Sequence, residues 1–160
     1  MNTILTTEKY IKDRLDQYCS WYDAKAVKAK KRYLNSRIWS AISAVLVPIV
    51  TNIPFPKIEI LTMTFDLSKV LATILSTVVA LLIALENVLH YKQQWINYRT
   101  TEQYLTAQKN LFLNEVGDYS GLSPNDAFKK LVDRVETAIT EENAVTLNVL
   151  TKIDNEKSSS

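Results

Sequence analysis

The sequence predicts an all-α fold: a two-span transmembrane helical hairpin, continuous with long cytoplasmic helices and followed by a C-terminal amphipathic helix. Two stretches, from Ile38 to Phe55 and from Val70 to Leu85, contain no charged residue and approach the length of a membrane span. Two glycines and four prolines in 160 residues provide too few turns for a many-stranded sheet. Elsewhere, apolar residues recur at three- and four-residue spacing, as in amphipathic helices.

The N-terminal part, residues 6–37, is predicted to be a cytoplasmic helix that runs into the first span, 38–55. Its apolar residues fall on one helical face, and no glycine or proline separates them from the span. Pro48 lies inside the span and frees a backbone carbonyl. A gating kink is one interpretation. We favour a static kink whose freed carbonyl is satisfied by a neighbouring serine.

The second span, 70–89, follows a short outer loop, 56–69, whose alternating apolar residues permit an extended segment. The span fits the bilayer because the stem of Lys69 can snorkel to the interface. No glycine or proline interrupts the chain from here to Gly117. The second span and its cytoplasmic extension, 90–115, are therefore predicted to form one helix.

The last helix is predicted at 124–153. Ser123 is a suitable N-cap, and Pro124 suits the first helical position because it lacks a backbone N–H. Apolar residues follow on one stripe of this helix. The polar tail, 154–160, is predicted to be disordered. The whole chain is expected to form a single membrane unit.

Basic residues predict that both termini lie in the cytoplasm. Residues 1–37 contain nine Lys plus Arg, the connection between the spans contains two, and the part from Glu86 onward contains eight. The protein is therefore expected to be a multi-pass protein of the plasma membrane. The alternative, two buried helices of a soluble bundle, is disfavoured because uncharged runs of this length are rare in soluble amphipathic helices.

The composition argues against an enzyme. One cysteine, Cys19, and one histidine, His90, do not supply the usual zinc ligands or a nucleophile with its base and orienting group. A net charge of +2 is too balanced for a nucleic-acid binder. We therefore expect no catalytic residue, metal ion, cofactor or nucleic-acid partner.

Small and hydroxyl-bearing residues share one face of the second span. The opposite face is predicted to contact lipid and consists of Leu71, Leu75, Val78, Leu82, Leu85 and Leu89. The small face is either a pore wall, since small polar side chains admit water, or a close helix-packing surface. Pore-lining candidates are Thr73, Ser76, Thr77, Ala80, Ala84 and Asn87. Packing candidates are Ser40, Ala44, Pro48 and Ala72.

Two titratable residues lie at the cytoplasmic end of the second span. Glu86 is more consistent with an interfacial ion pair to Arg37 or another basic residue than with a cation site at a pore mouth. His90 is more consistent with a hydrogen-bonded interfacial residue than with a pH sensor.

Aromatic and charged residues cluster in two cytoplasmic motifs. They form either a ligand pocket, with stacking faces and cations for phosphate, or the core of the helical bundle. We favour the core, because no glycine-rich loop or helix N-terminus lies nearby to hold phosphate. The motif residues are Trp21, Tyr22, Lys25, Trp95, Tyr98, Arg99 and Glu102.

Three runs of sequence, at 17–33, 95–113 and 128–143, resemble the SLATT superfamily, and more narrowly its branch of bacterial two-span membrane proteins catalogued as a domain of unknown function. The resemblance implies two membrane helices with a helical cytoplasmic part in the inner membrane of a bacterium. It also implies a pore-forming effector in conflict systems driven by nucleotide second messengers. Many such proteins occur beside nucleotide-synthesising or nucleotide-sensing proteins, which implies a cytoplasmic regulatory partner.

The expected function is a homo-oligomeric pore or ion channel, which the resemblance extends to a membrane-permeabilising effector of bacterial defence. Two spans per chain cannot enclose a water path, so several copies must assemble in the lipid bilayer. The alternative is a non-conducting membrane scaffold whose cytoplasmic bundle recruits a partner. The near absence of charge inside the spans favours this alternative, because conducting paths often carry charged residues.

Overall fold

The computed structural model describes residues 3–53, 57–60 and 63–158, which are helical apart from one pair of short strands. Part of the predicted outer loop lies outside the described residues. The chain divides into a bundle unit, Met1–Ala29 with Lys92–Ser160, and an apolar unit, Lys30–Tyr91. The elements are α1 (Thr3–Tyr10), a π-helical turn (Ile11–Leu15), α2 (Asp16–Asn52), β1 (Lys57–Ile60), β2 (Met63–Asp66), α3 (Leu67–Leu89), α4 (Tyr91–Leu113), a 3₁₀ turn (Gly117–Tyr119) and α5 (Pro124–Ser158).

The bundle unit packs the first turns of α2 against α4 and α5. Buried side chains recur at three- to four-residue spacing on each of these helices, which places them on one face. Burial of each large apolar side chain contributes about 1.5–3 kcal/mol. The core includes Leu15, Tyr22, Leu105, Leu131 and Val135.

Contacts between the helices fix their directions within the bundle unit. α5 runs in the same direction as α2, since Arg14 Nη2 lies 2.8 Å from Glu136 Oε2 and Tyr22 donates a hydrogen bond to Glu142. α4 runs in the opposite direction. Its ion pairs with α2 are Lys109 with Asp16 at 2.6 Å and Arg99 with Asp23 at 2.9 Å.

In the apolar unit, residues 30–52 of α2 contact α3. The Ser36 hydroxyl donates to the carbonyl of Leu82 at 3.5 Å, and Arg37 Nε lies 3.3 Å from Glu86 Oε2. The two strands that precede α3 pair antiparallel, with Lys57 opposite Asp66. This short ladder lies at the loop where the alternating pattern permits an extended segment.

The prediction of one helix across residues 70–115 is wrong at His90. α3 ends at Leu89, and His90 adopts a left-handed conformation with φ 47°. Its amide donates to the carbonyl of Glu86 at 3.0 Å, which closes the end of α3 before α4 begins at Tyr91. Histidine is one of the residues that tolerate this conformation, at a cost of roughly 1–2 kcal/mol.

The last helix begins as predicted and ends later. Ser123 Oγ accepts a hydrogen bond from the amide of Asp126 at 3.2 Å, and α5 starts at Pro124, which confirms the N-cap. α5 then continues to Ser158, so the prediction of a disordered tail from residue 154 is wrong over 154–158. Polar composition favours disorder in an isolated segment. Here the tail extends a helix that has already formed, so it does not incur the cost of nucleation.

Candidate functional site

Two helical segments, Thr6–Asn52 and Leu67–Leu89, contain windows long and apolar enough to cross a membrane. Only 6% of each window is buried inside the described part of the chain. The core helix of a soluble protein passes the same test of length and composition, but such a helix is mostly buried by its own chain. The apolar surface of these two windows is therefore left exposed by the rest of the described chain, and it must be buried by lipid or by another protein.

α3 has three faces, where the sequence indicated two. The face toward α2 is partly buried and repeats every three or four residues. It consists of Leu71, Ala72, Leu75, Val79, Leu82, Glu86 and Leu89.

The second face of α3 is bulky, apolar and exposed. Leu81, near the middle of the helix, is 58% exposed, and its neighbours on this face are comparably open. Side chains of this type suit contact with lipid. The face consists of Val70, Ile74, Val78, Leu81, Leu85 and Val88.

The third face, here called the small stripe, contains all six pore-lining candidates, and all six are exposed. The hydroxyl of Thr73 donates to the carbonyl of Lys69, and that of Thr77 to the carbonyl of Thr73, each at 2.8 Å. Both hydroxyl protons are therefore satisfied within the helix, and their oxygen lone pairs stay open to a further donor. The small stripe consists of Thr73, Ser76, Thr77, Ala80, Ala84 and Asn87.

The predicted lipid face of α3 is therefore wrong in part. Leu71, Leu75, Leu82 and Leu89 lie on the partly buried side toward α2, and only Val78 and Leu85 of that set are exposed. Leucines suit lipid and a helix–helix contact equally well, so composition does not distinguish these two surroundings.

On α2, a serine-rich face is the less exposed one. Ser43 is buried, and Ser36 and Ser40 are partly buried. Among the packing candidates, Ser40 is thus partly covered, as is Ala72 of α3, whereas Ala44 and Pro48 are exposed.

The residues around Pro48 form a short network at the end of α2. The side-chain amide of Asn52 donates to the carbonyl of Pro48 at 2.7 Å, and the Thr51 hydroxyl lies 3.0 Å from the same oxygen. Side chains one turn later thus satisfy backbone acceptors beside the proline.

The predicted ion pair of Glu86 is confirmed. Its carboxylate meets Arg37 with the glutamate side chain 16% exposed and the arginine 61% exposed. Because its partner is so exposed, this pair contributes at most about 1 kcal/mol to stability. Its consequence is geometric, since it joins α2 to α3 inside the apolar unit.

The aromatic residues of the two motifs meet in the bundle unit. The ring of Tyr22 lies 4.9 Å from that of Trp21 and 6.2 Å from that of Tyr98, centroid to centroid, and Lys25 Nζ lies 5.0 Å above the ring of Trp21. Trp95 is partly buried on α4. This arrangement leaves one face of the motif in the core and places Lys25 outside it.

The cations of the motifs face carboxylates. Arg99 Nη1 lies 2.9 Å from Asp23 Oδ1 and 3.0 Å from Glu102 Oε2, so its guanidinium bridges α2 and its own helix. A guanidinium with two carboxylate partners is already neutralised and is a poor phosphate ligand.

Glu142 is a buried carboxylate that the sequence reading missed. The residue is 6% exposed; its Oε2 accepts from the Tyr22 hydroxyl at 3.2 Å, and its Oε1 accepts from Thr146 at 2.6 Å. Burial, then the adjacent carboxylate, raises the pKa of Tyr22. The signal was available, since Glu142 occupies a core position three residues after Ile139.

A groove of about 540 Å³ runs along the bundle unit between α4 and α5. Its carboxylates outnumber its single cation, Arg134, whose guanidinium lies 2.5 Å from Asp118. The α4–α5 groove is lined by Asn97, Thr100, Thr101, Tyr104, Asp133, Arg134, Thr137, Ala138, Glu141, Glu142 and Val145.

The Arg14–Glu136 ion pair predicts a weak acid sensitivity of the bundle unit. Hydrogen bonds from Arg14, and then from Tyr10, lower the pKa of Glu136 despite its partial burial. A carboxylate with a lowered folded-state pKa contributes stability at neutral pH that is lost as the pH falls through about 4.5 and below. Because the pair is about 40% exposed, we expect the loss to be at most about 1 kcal/mol. Urea unfolding of wild type and Arg14→Met at pH 7 and pH 3.5 measures it, and an equal pH effect in both would contradict this assignment.

The chain is not detectably similar to any curated protein or to any solved structure. A family model described as protein of unknown function (DUF4231) matches residues 17–127, which include the first two motif runs and both apolar helices. The match covers more than half of the chain. The chain therefore belongs to this family of proteins of unknown function, DUF4231.

Proposed function

We propose that this chain is a two-span membrane protein whose copies assemble into an ion-conducting pore with the small stripe of α3 toward the axis. The observation that carries the proposal is the division of α3 into three faces. One face contacts α2, a second is bulky and suits lipid, and the third is small, hydroxyl-bearing and uncovered, with the exposed Ile83 at its edge toward α2. A small, hydroxyl-bearing surface gains little from contact with lipid, but it suits contact with a neighbouring helix or with water in a pore.

A hairpin arrangement of the spans is part of the proposal. Arg32 lies over the ring of Tyr91, just after α3, whereas Ser36 and Arg37, one turn later in α2, contact Leu82 and Glu86, earlier in α3, so the two helices run in opposite directions. Antiparallel neighbours joined by a short loop cross a bilayer twice. The excess of basic residues outside the loop then favours both termini in the cytoplasm.

The small stripe suits a pore more than a purely structural contact for one reason. Thr73, Thr77 and Asn87 place polar groups at successive depths, and a dry small-residue interface needs only the alanines and serine between them. Oxygen atoms with open lone pairs are the ligands that water and hydrated cations meet in a narrow path. The resemblance to SLATT proteins supports a bacterial inner-membrane location and an effector role.

Ion flux from liposomes that contain the purified protein tests the proposal. Ala80→Leu fills the small stripe, so we expect it to lower the flux at least about tenfold. Leu81→Ala is the matched control. It makes the opposite exchange, leucine to alanine, at the adjacent residue on the bulky face, and we expect its flux to stay near that of wild type. Equal flux from both variants would contradict the assigned face, and no flux from the assembled wild type would exclude a constitutively open pore.

A second function is a non-conducting membrane scaffold that recruits a cytoplasmic regulatory partner. The α4–α5 groove of the bundle unit favours it, because an acidic, hydroxyl-lined groove on a helical bundle suits a basic helix of another protein. An assembled protein that conducts no ions, alone or with its partner, would support this function over the pore.

A further inference from the structure

We infer that the bundle units of neighbouring copies dock head to tail, with the outer face of α2 in one copy seated in the α4–α5 groove of the next. The inference rests on the homo-oligomer proposed above and identifies the surfaces through which its bundle units meet. The outer face of α2, here called the α2 ridge, consists of Gln17, Ser20, Trp21, Ala24 and Lys25.

The α2 ridge is the exposed side of the helix, with Trp21 and Lys25 on its flank toward the core and the ring of Trp21 in contact with that of Tyr98 on α4. Tyr22 and Ala26 are buried on the core side, whereas all five ridge residues are exposed. At 100° per residue Gln17 lies at the centre of the ridge, between Ala24 and Trp21, and Ser20 and Lys25 lie at its edges. Ser20 and Ala24 are small and lie side by side, so another backbone can approach closely on that side of the ridge.

The α4–α5 groove is open on the far side of the same bundle unit. Its lining residues belong to α4 and α5, and α2 packs on the other side of this helix pair through Asp23 and Glu136 contacts. One copy therefore presents a ridge at one side and a groove at the other. Two different surfaces that fit each other generate a heterologous contact, which closes into a ring when the rotation between copies closes.

The ridge and the groove lie at the same level along the bundle. Arg14 pairs with Glu136 and Tyr22 with Glu142, so α2 and α5 residues whose numbers differ by about 120 are level with each other. Gln17 is thereby level with Thr137, which lines the groove. In a ring whose axis follows these helices, every residue meets residues of the next copy at its own level.

Charge complementarity identifies the occupant of the groove as a second copy. Lys25 Nζ lies over the ring of Trp21, which is one helical turn before Lys25 in the chain. Because Trp21 is level with Glu141 on α5, the ammonium lies at the level of Glu141. Within the described ranges, neither Lys25 nor Glu141 has an ion-pair partner in its own chain, unlike Arg14, Arg99 and Lys109. The positive charge of Lys25 in one copy can therefore pair with the negative charge of Glu141 in the next.

Cross-linking of the full-length protein in membranes tests the contact. The background is Cys19→Ser, which removes the single cysteine. Two variants, Gln17→Cys and Thr137→Cys, are expressed separately and together, and a short bismaleimide reagent joins nearby thiols. We expect a dimer only when both variants are present, because the contact joins two different surfaces. Asn143→Cys, exposed on another face of α5, replaces Thr137→Cys as the matched control and should give no dimer with Gln17→Cys.

Charge exchange provides a second measurement. Lys25→Glu places a carboxylate against Glu141, so we expect about threefold less cross-linked dimer, the size expected for an exposed ion pair. Glu141→Lys should have the same effect. The double variant restores the opposite charges, and we expect its dimer yield to return to that of the parent pair. A double variant as weak as the single ones would overturn the pairing.

The outcomes separate this inference from the pore itself. A dimer of Gln17→Cys alone would mean a symmetric contact and overturn the head-to-tail arrangement. The absence of a mixed dimer in a protein that conducts ions would overturn the contact and leave the pore intact. A mixed dimer in a protein that conducts nothing would support the contact and contradict the pore. A protein that amine-reactive reagents show to be monomeric would contradict both.

Discussion

Tyr22→Ala should destabilise the bundle unit by about 3–5 kcal/mol, the cost of deleting a fully buried aromatic side chain. The ring of Tyr22 is completely buried between Tyr18, Trp21 and Tyr98, and its hydroxyl is a donor to Glu142. The substitution leaves a cavity and, in addition, removes a hydrogen bond from a buried carboxylate. Urea unfolding of the full-length protein in detergent, followed by tryptophan fluorescence, measures the change.

Two further tyrosine variants separate the components of this loss. Tyr22→Phe keeps the ring and removes only the hydroxyl, so we expect about 1–3 kcal/mol, the cost of leaving a buried acceptor with one donor fewer. Tyr104→Ala is the control, because this tyrosine lies in the same unit but is 41% exposed. We expect this substitution to lower the free energy of unfolding by much less than Tyr22→Ala does. A loss below about 1 kcal/mol for Tyr22→Ala would exclude the described core.

Val78→Arg should oppose membrane insertion, and Thr77→Arg should not. The two residues are adjacent in the middle of α3, so a charge at either lies at nearly the same depth in a bilayer. Val78 is on the bulky face, where an arginine meets lipid at a cost of about 2.5–3.5 kcal/mol. Thr77 is on the small stripe, where the proposed water path would solvate the charge.

Alkaline extraction of membranes and flux assays measure the two effects. We expect Val78→Arg to lower the fraction of inserted protein strongly, and Thr77→Arg to insert like wild type and to disfavour cation flux. Thr77→Lys extends the comparison with a second cation of different shape. Equal losses of insertion at both positions would mean that the small stripe is dry, and would favour the scaffold function over the pore.

Local signals in the sequence predicted local structure. Ser123 and Pro124 identified the start of α5 because an N-cap acts through backbone groups two to three residues away. The two apolar stretches predicted helices of membrane-spanning length for the same reason, since length and composition belong to each segment alone. An ion pair of Glu86 with a basic residue was predictable because both charges flank apolar segments, and the structure identifies Arg37 as that residue.

Features that depend on distant contacts were decided only by the tertiary structure. Periodicity divides a helix into an apolar and a polar side, but it does not say which apolar residues meet α2 and which stay open, so Leu82 and Leu85 were both assigned to the lipid face. The break at His90 is an exception, because its hydrogen bond to the Glu86 carbonyl is local, but no glycine or proline marks it in the sequence. The spacing from Ile139 places Glu142 on the core side of α5, but only the structure identifies its partner, Tyr22, 120 positions earlier, which donates to it. By itself, then, the sequence determined most of the helical segments and the N-cap of α5 through short-range hydrogen bonds and composition. The tertiary structure decided which faces of those helices are covered, because coverage depends on residues that are remote in the chain.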